Sequence, residues 1–102
     1  MEPIQINQAD DGRVVKVSAG QQVVVRLPEN PTTGYRWEPP VGIEVLVDEY
    51  RSQGGTTMGA CGERLFTLAA FTITSEICFE LKRPWGSGPP ERIFTLRLTV
   101  GG

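Results

Sequence analysis

Three observations predict that this chain folds as an all-β domain. Apolar residues recur at every second position through most of its length, the period of a strand with one buried face. No segment repeats apolar residues at helical spacing. Gly (12) and Pro (8) make up about a fifth of the 102 residues, against average usage of about 12%. They cluster between the alternating runs, where tight turns need them.

The elements follow in order. Ile4 and Ile6 mark a short first strand. Gly12 opens a run holding Val14, Val15 and Val17, and Ser18-Ala19-Gly20-Gln21 turns the chain. Val23, Val25 and Leu27 then alternate with Gln22, Val24 and Arg26, and residues 28–34 read as loop. Trp37 lies in a short strand that Pro39-Pro40 ends, because proline removes a ladder donor. A tryptophan in such a strand of a sandwich reads as core. Ile43, Val45 and Val47 alternate in the next strand, and residues 51–62, with Gly54, Gly55, Gly59 and Gly62, read as loop again. Phe66, Leu68 and Ala70 turn one face inward. After a turn placed at Thr72-Ile73-Thr74-Ser75, Ile77, Phe79 and Leu81 oppose Glu76, Cys78, Glu80 and Lys82. Gly86-Ser87-Gly88-Pro89-Pro90 breaks the chain once more, and Phe94, Leu96, Leu98 and Val100 face inward against Thr95, Arg97 and Thr99. Seven to eight short strands in one domain spanning residues 1–102 give an immunoglobulin-like antiparallel β-sandwich of two sheets. A barrel is the competing architecture. There is no internal repeat, linker or low-complexity tract.

Composition removes several function classes. The chain has no histidine, which excludes a Ser-His-Asp or Cys-His pair and any His-ligated metal. Two cysteines, Cys61 and Cys78, cannot complete a tetrahedral zinc site, so no metal or other cofactor is expected. Asp10-Asp11 and Asp48-Glu49 are adjacent carboxylates that point to opposite faces of a strand, hence solvated surface rather than an acid/base pair. Catalysis is not expected. A net charge of -2 argues against a nucleic-acid partner, and no apolar run approaches the ~20 residues of a membrane span. Met1-Glu2-Pro3 shows neither a basic stretch nor an apolar signal segment. A periplasmic or secreted location therefore requires a leader removed before Met1; otherwise the location is cytoplasmic. A monomer is expected.

Three segments carry more special backbone residues than plain connectors need. In Asn30-Pro31-Thr32-Thr33-Gly34-Tyr35, Pro31 locks its own φ and pushes Asn30 into an extended conformation, and Gly34 permits positive φ at the exit. The tip between them is stiff and slim, and Tyr35-x-Trp37 follows at once. The second segment, Gly59-Ala60-Cys61-Gly62, lets a backbone approach another surface closely, although taken alone it reads as a flexible connection. The third, Arg83-Pro84-Trp85, sets an indole on a proline-stiffened turn, and Trp and Arg dominate binding hot spots. Trp85 reads as an exposed anchor ahead of a cap on the core.

These segments, in this order, resemble the motif loops of the chagasin-like inhibitors of papain-type cysteine peptidases, over roughly Val23 to Val100. The resemblance implies an immunoglobulin-like sandwich whose three loops sit side by side at one end and fill the peptidase cleft. Residues 30–35 would enter the catalytic centre with Thr32 and Thr33 against the enzyme's Cys-His pair. Residues 59–62 would run along the cleft as extended backbone, and Trp85, backed by Arg83 and Pro84, would pack on an aromatic wall. The partner implied is a papain-like cysteine peptidase, inhibited reversibly and competitively without cleavage of the loop. One position departs from the family, whose middle loop usually reads Gly-x-Gly-Gly, whereas Cys61 stands third here. If that position needs positive φ, the side chain costs about 1 kcal/mol. With the motif loops at one end, Cys78 lies five strand steps below Arg83, about 17 Å. A disulfide needs its Cα atoms within ~7 Å, so two free thiols are expected. The rival reading is a non-inhibitory ligand-binding or adhesion module, such as a carbohydrate binder, though few aromatics remain for a sugar platform.

Overall fold

A computed structural model of the chain describes residues 2–30, 33–52, 62–69, 74–86 and 88–101. Eight strands among them form two four-stranded sheets: β1 (Ile4–Asn7), β2 (Val14–Ser18), β3 (Val23–Glu29), β4 (Arg36–Glu38), β5 (Val45–Ser52), β6 (Gly62–Leu68), β7 (Ser75–Lys82) and β8 (Arg92–Gly101). The orders are β1-β3-β6-β5 and β2-β8-β7-β4. Helical geometry among the described residues is confined to the 3-10 turn Gln8–Asp10 and to Thr33. The expected sandwich is therefore present. Two pairings within it are parallel, β1 with β3 and β2 with β8. Parallel neighbours need a crossover between them. For β1 and β3, strand β2 supplies it by lying in the opposite sheet.

Alternation is what closes the sandwich. Val23, Val25, Leu27, Phe66 and Leu68 of one sheet meet Ile77, Phe79, Phe94, Leu96 and Leu98 of the other in a single buried cluster. One ring pair bridges the sheets, with Phe66 5.2 Å from Phe79, and within the second sheet Phe79 lies 6.0 Å edge-on from Phe94. Such pairs stabilise by about 0.5–1.5 kcal/mol beyond the area they bury. Trp37 joins the cluster at 2% exposure, as expected of a core residue.

Three expectations are corrected. First, β3 runs on to Glu29, through residues expected to be loop. Pro28 fits there because β1 has already ended at Asn7, opposite Arg26, which leaves one flank of β3 open. Second, β5 spans Val45–Ser52, with Ile43 ahead of it, and a register irregularity falls between Val45 and Val47. Val45 packs against the core, but Leu46 and Val47 are exposed. As an edge strand β5 is held by its ladder to β6, so the polar run 48–52 extends it through backbone pairing. Third, Gly62 opens β6 instead of ending a loop. Strands β6 and β7 belong to different sheets, so the segment after Leu68 crosses the sandwich. The inward position given to Ala70, and much of the turn placed at residues 72–75, lie outside the described residues. Cys78 is a free, exposed thiol on β7; Cys61 lies outside the described residues.

Candidate functional site

Strand register brings the bases of all three segments to one pole. In the first sheet Glu29 pairs with Gly62, and Gly62 pairs on its other side with Ser52. The chain leaves β3 and enters β6 from the same rung. In the second sheet Arg36 pairs with Lys82. Whatever precedes Arg36 is therefore the neighbour of whatever follows Lys82. Residues 30–35 join the two sheets at this pole.

The first segment is tied to itself. Thr33 donates twice to the Asn30 carbonyl oxygen, from its N–H at 3.2 Å and from its hydroxyl at 2.8 Å. The Tyr35 N–H donates to the same hydroxyl at 3.3 Å. The Thr33 hydroxyl is thus engaged inside the loop. Gly34 takes a φ of +81°, a conformation that costs an L-residue about 1–2 kcal/mol. Pro31 and Thr32 lie outside the described residues.

The third segment leans on the first. Gly86 donates its N–H to the Arg83 carbonyl at 2.9 Å, closing a β-turn with Pro84 at its second position. No described non-glycine residue has positive φ, so Trp85 does not take the positive φ that the third position of a type II turn requires. Trp85 is 75% exposed, as an anchor must be. One ring edge nevertheless backs onto the first loop: a Cβ on Gly34 would stand 3.2 Å from Cη2 and 3.3 Å from Cζ2 of Trp85. Beside it, the Arg83 guanidinium lies 4.7 Å from the centroid of the Tyr35 ring, within cation–π range. Glycine at 34 and arginine at 83 therefore interlock two loops that are 49 positions apart in sequence.

For the second segment, Gly59, Ala60 and Cys61 lie outside the described residues. Gly62 is buried, and a Cβ there would collide with the Tyr50 hydroxyl and the Arg51 carbonyl. It is needed for close strand packing, not for a mobile tip.

The expected site residues omit a charged circuit that underlies them. Glu29 is only 4% exposed. Its Oε1 accepts the Trp37 backbone N–H at 2.9 Å, and its Oε2 accepts from Nε and Nη2 of Arg64, each at 2.8 Å. Nη1 of Arg64 donates to Asp48 at 3.0 Å, and Arg36 stands 3.8 Å from the other oxygen of Asp48. Burial works against the charge on Arg64, but its bonds and charge contacts with Glu29, then Asp48, outweigh this and raise its pKa above the ordinary value. The Trp37 indole N–H adds a bond to the Pro28 carbonyl at 2.8 Å. Four strands from both sheets are joined at the pole from which the loops leave. One signal was in the sequence: Val23, Val25 and Leu27 set an inward parity that falls next on Glu29.

Against this geometry, comparison with known proteins is decisive. Residues 16–100 match the family model described as Chagasin family peptidase inhibitor I42. The chain belongs to the chagasin family. Amoebiasin-1 of Entamoeba histolytica is 26% identical over 101 residues, covering 95% of this chain and 99% of that protein. Chagasin of Trypanosoma cruzi is 27% identical over 94 residues, covering 83% and 84% respectively. Among solved structures, the cysteine protease inhibitor EhICP2 from Entamoeba histolytica matches with a TM-score of 0.83 at 23% identity, over 99% of this chain and 97% of its own. PbICP-C, solved in complex with falcipain-2, matches with a TM-score of 0.66 at 14% identity, over 98% and 92%. The family is one of inhibitors, not enzymes. In this chagasin-family chain the described motif residues Asn30, Thr33, Gly34, Tyr35, Arg83, Pro84 and Trp85 form one surface, with Gly62 at its base.

Proposed function

We propose that this chain is a reversible, competitive inhibitor of papain-like cysteine peptidases, acting through the pole that carries its three motif loops. Residues 30–35 enter the catalytic centre as a closed, slim loop. Thr32 would face the enzyme's Cys-His pair. Thr33, with its hydroxyl turned into the loop, would present its methyl and backbone there. Gly59, Ala60 and Cys61, read from the motif, would run along the cleft as extended backbone in the manner of strand addition, with Gly62 fixing their end in the sheet. Trp85 packs on the other flank, and Arg83 and Pro84 hold its angle.

The observation that carries this reading is the interlock of Gly34 and Tyr35 with Trp85 and Arg83. It leaves a large indole exposed beside a loop tied by its own hydrogen bonds. A loop already held in its bound shape loses little entropy on docking. A peptide bond kept out of attack geometry is not cut. The interface would bury about 1,600 Å², the usual size for a protease with its inhibitor. The test is a titration of papain with the protein while a small fluorogenic substrate is hydrolysed. Competitive loss of activity, with the chain recovered intact, is expected. Full turnover under a large excess of the chain overturns the proposal.

A further inference from the structure

We propose that Glu29 and Arg64 are positioning residues, which clamp the first loop so that it obstructs a peptidase instead of serving it as a substrate. The inference deepens the inhibitory reading above and rests on it. A loop inserted into a peptidase cleft presents peptide bonds to a nucleophile, so resistance to cleavage must come from the loop's inability to relax into an extended, substrate-like path. The clamp restrains both ends of that path. Glu29 is the last residue of β3, and through Oε1 it holds the N–H of Trp37, eight residues on, at 2.9 Å. The segment between them is thereby closed at its neck, inside which Thr33 bonds back to Asn30.

Arg64 then fixes Glu29. It reaches Oε2 from β6, the strand that follows the second loop, and its remaining nitrogen holds Asp48 on β5, the strand that precedes that loop. The side chains of Arg64 and Glu29 are 12% and 2% exposed, so water is a poor substitute for either partner. One carboxylate thus sets the neck of the first loop and ties it to the strands flanking the second.

Both oxygens of Glu29 accept hydrogen bonds. Glu29→Gln keeps the shape but turns one acceptor into a donor, and in either flip its NH₂ faces a donor, the Trp37 amide or the Arg64 guanidinium. The variant is tested in three ways: dissociation from papain, mass spectrometry after prolonged incubation with papain, and hydrogen exchange of the free protein. We expect dissociation faster by about tenfold or more, fragments cut within residues 30–35, and loss of exchange protection at Tyr35 and Trp37 with the Phe66 and Phe94 amides retained. If Glu29→Gln does not fold, the pair Glu29→Met with Arg64→Met removes both charges without leaving either buried alone; it is expected to fold and still be cleaved. An intact, slowly dissociating variant overturns the inference, as does protection lost equally across the core. If the wild-type chain itself does not inhibit papain, the proposed function falls. The exchange measurement then decides the clamp alone, with retained protection at Trp37 overturning it.

Discussion

Gly20 and Gly34 both take positive φ, +87° and +81°, at opposite poles of the sandwich. A Cβ on Gly20 would meet nothing within 4 Å, whereas one on Gly34 would press on the ring of Trp85. The turn around Gly20 is closed mostly by its own residues. Gln21 closes it by donating to the Ser18 carbonyl at 3.0 Å and accepting from the Ser18 N–H at 3.0 Å. The loop around Gly34 is completed by residues far away in sequence: Trp85, Arg83 and, below them, Arg64. Stiffness at the first pole comes mainly from bonds within four residues, with one tie from the Gln21 side-chain amide to the Glu2 carbonyl at 2.8 Å. At the second it is shared among loops, which is what docking against a cleft requires.

The largest test of that difference is Trp85→Ala. A hot-spot truncation of this kind should weaken inhibition by about 2 kcal/mol or more. It should barely change the melting temperature, because the indole is mostly solvent-exposed. An unchanged inhibition constant removes Trp85 from the interface. The comparison itself is broken or sharpened by a pair of smaller changes, Gly20→Ala and Gly34→Ala. Each forces a side chain into positive φ and should cost about 1 kcal/mol of stability by denaturant unfolding. Only Gly34→Ala displaces the indole, so only it should weaken inhibition, by about tenfold or 1.4 kcal/mol. Equal inhibition by the two variants would mean that the loops do not support one another.

What the sequence disclosed tracks what burial enforces. Val23, Val25 and Leu27, and Phe94, Leu96 and Leu98, read correctly because each inward side chain is fully covered. Strand β5 read poorly. At an edge its register is held by backbone pairing, and the irregularity after Val45 turned Leu46 and Val47 to solvent. Trp37 was legible as core and Trp85 as exposed, since a strand position and a Pro-led turn leave little choice. The charged circuit was not legible. Glu29 stood at an inward position, but nothing local names Arg64, 35 residues away, as its partner. Nor does spacing alone reveal that Gly34 makes room for Trp85. Long-range complementarity of that kind becomes visible only when strand register is known.

Ion pairs give the smallest and sharpest form of the contrast. Arg64 with Glu29 is buried and spans two strands, whereas Arg13 with Asp10 is three residues apart, at 2.7 Å, with Arg13 66% exposed. Asp10 also accepts the Asn7 N–H at 2.9 Å within a capping box. That backbone bond is the main cause that holds its carboxyl below the usual 3.8; burial opposes it, and the bond and charge of Arg13 assist. A carboxyl depressed in the folded state stabilises the fold above its unfolded pKa, near 3.9, and ceases to do so as pH falls through the lower folded value. Asp10→Asn keeps an acceptor for Asn7 but removes the charge. Its cost by urea unfolding at pH 7 should stay under about 1 kcal/mol, because the Arg13 side of the pair is exposed and screened, and should shrink further in high salt. As pH falls below about 4 and through the lower folded value, the wild-type chain should lose that margin and the two proteins should converge. A gap that persists at low pH would assign the stabilisation to shape instead of charge, and the local pair would then resemble the buried one more closely than its exposure allows.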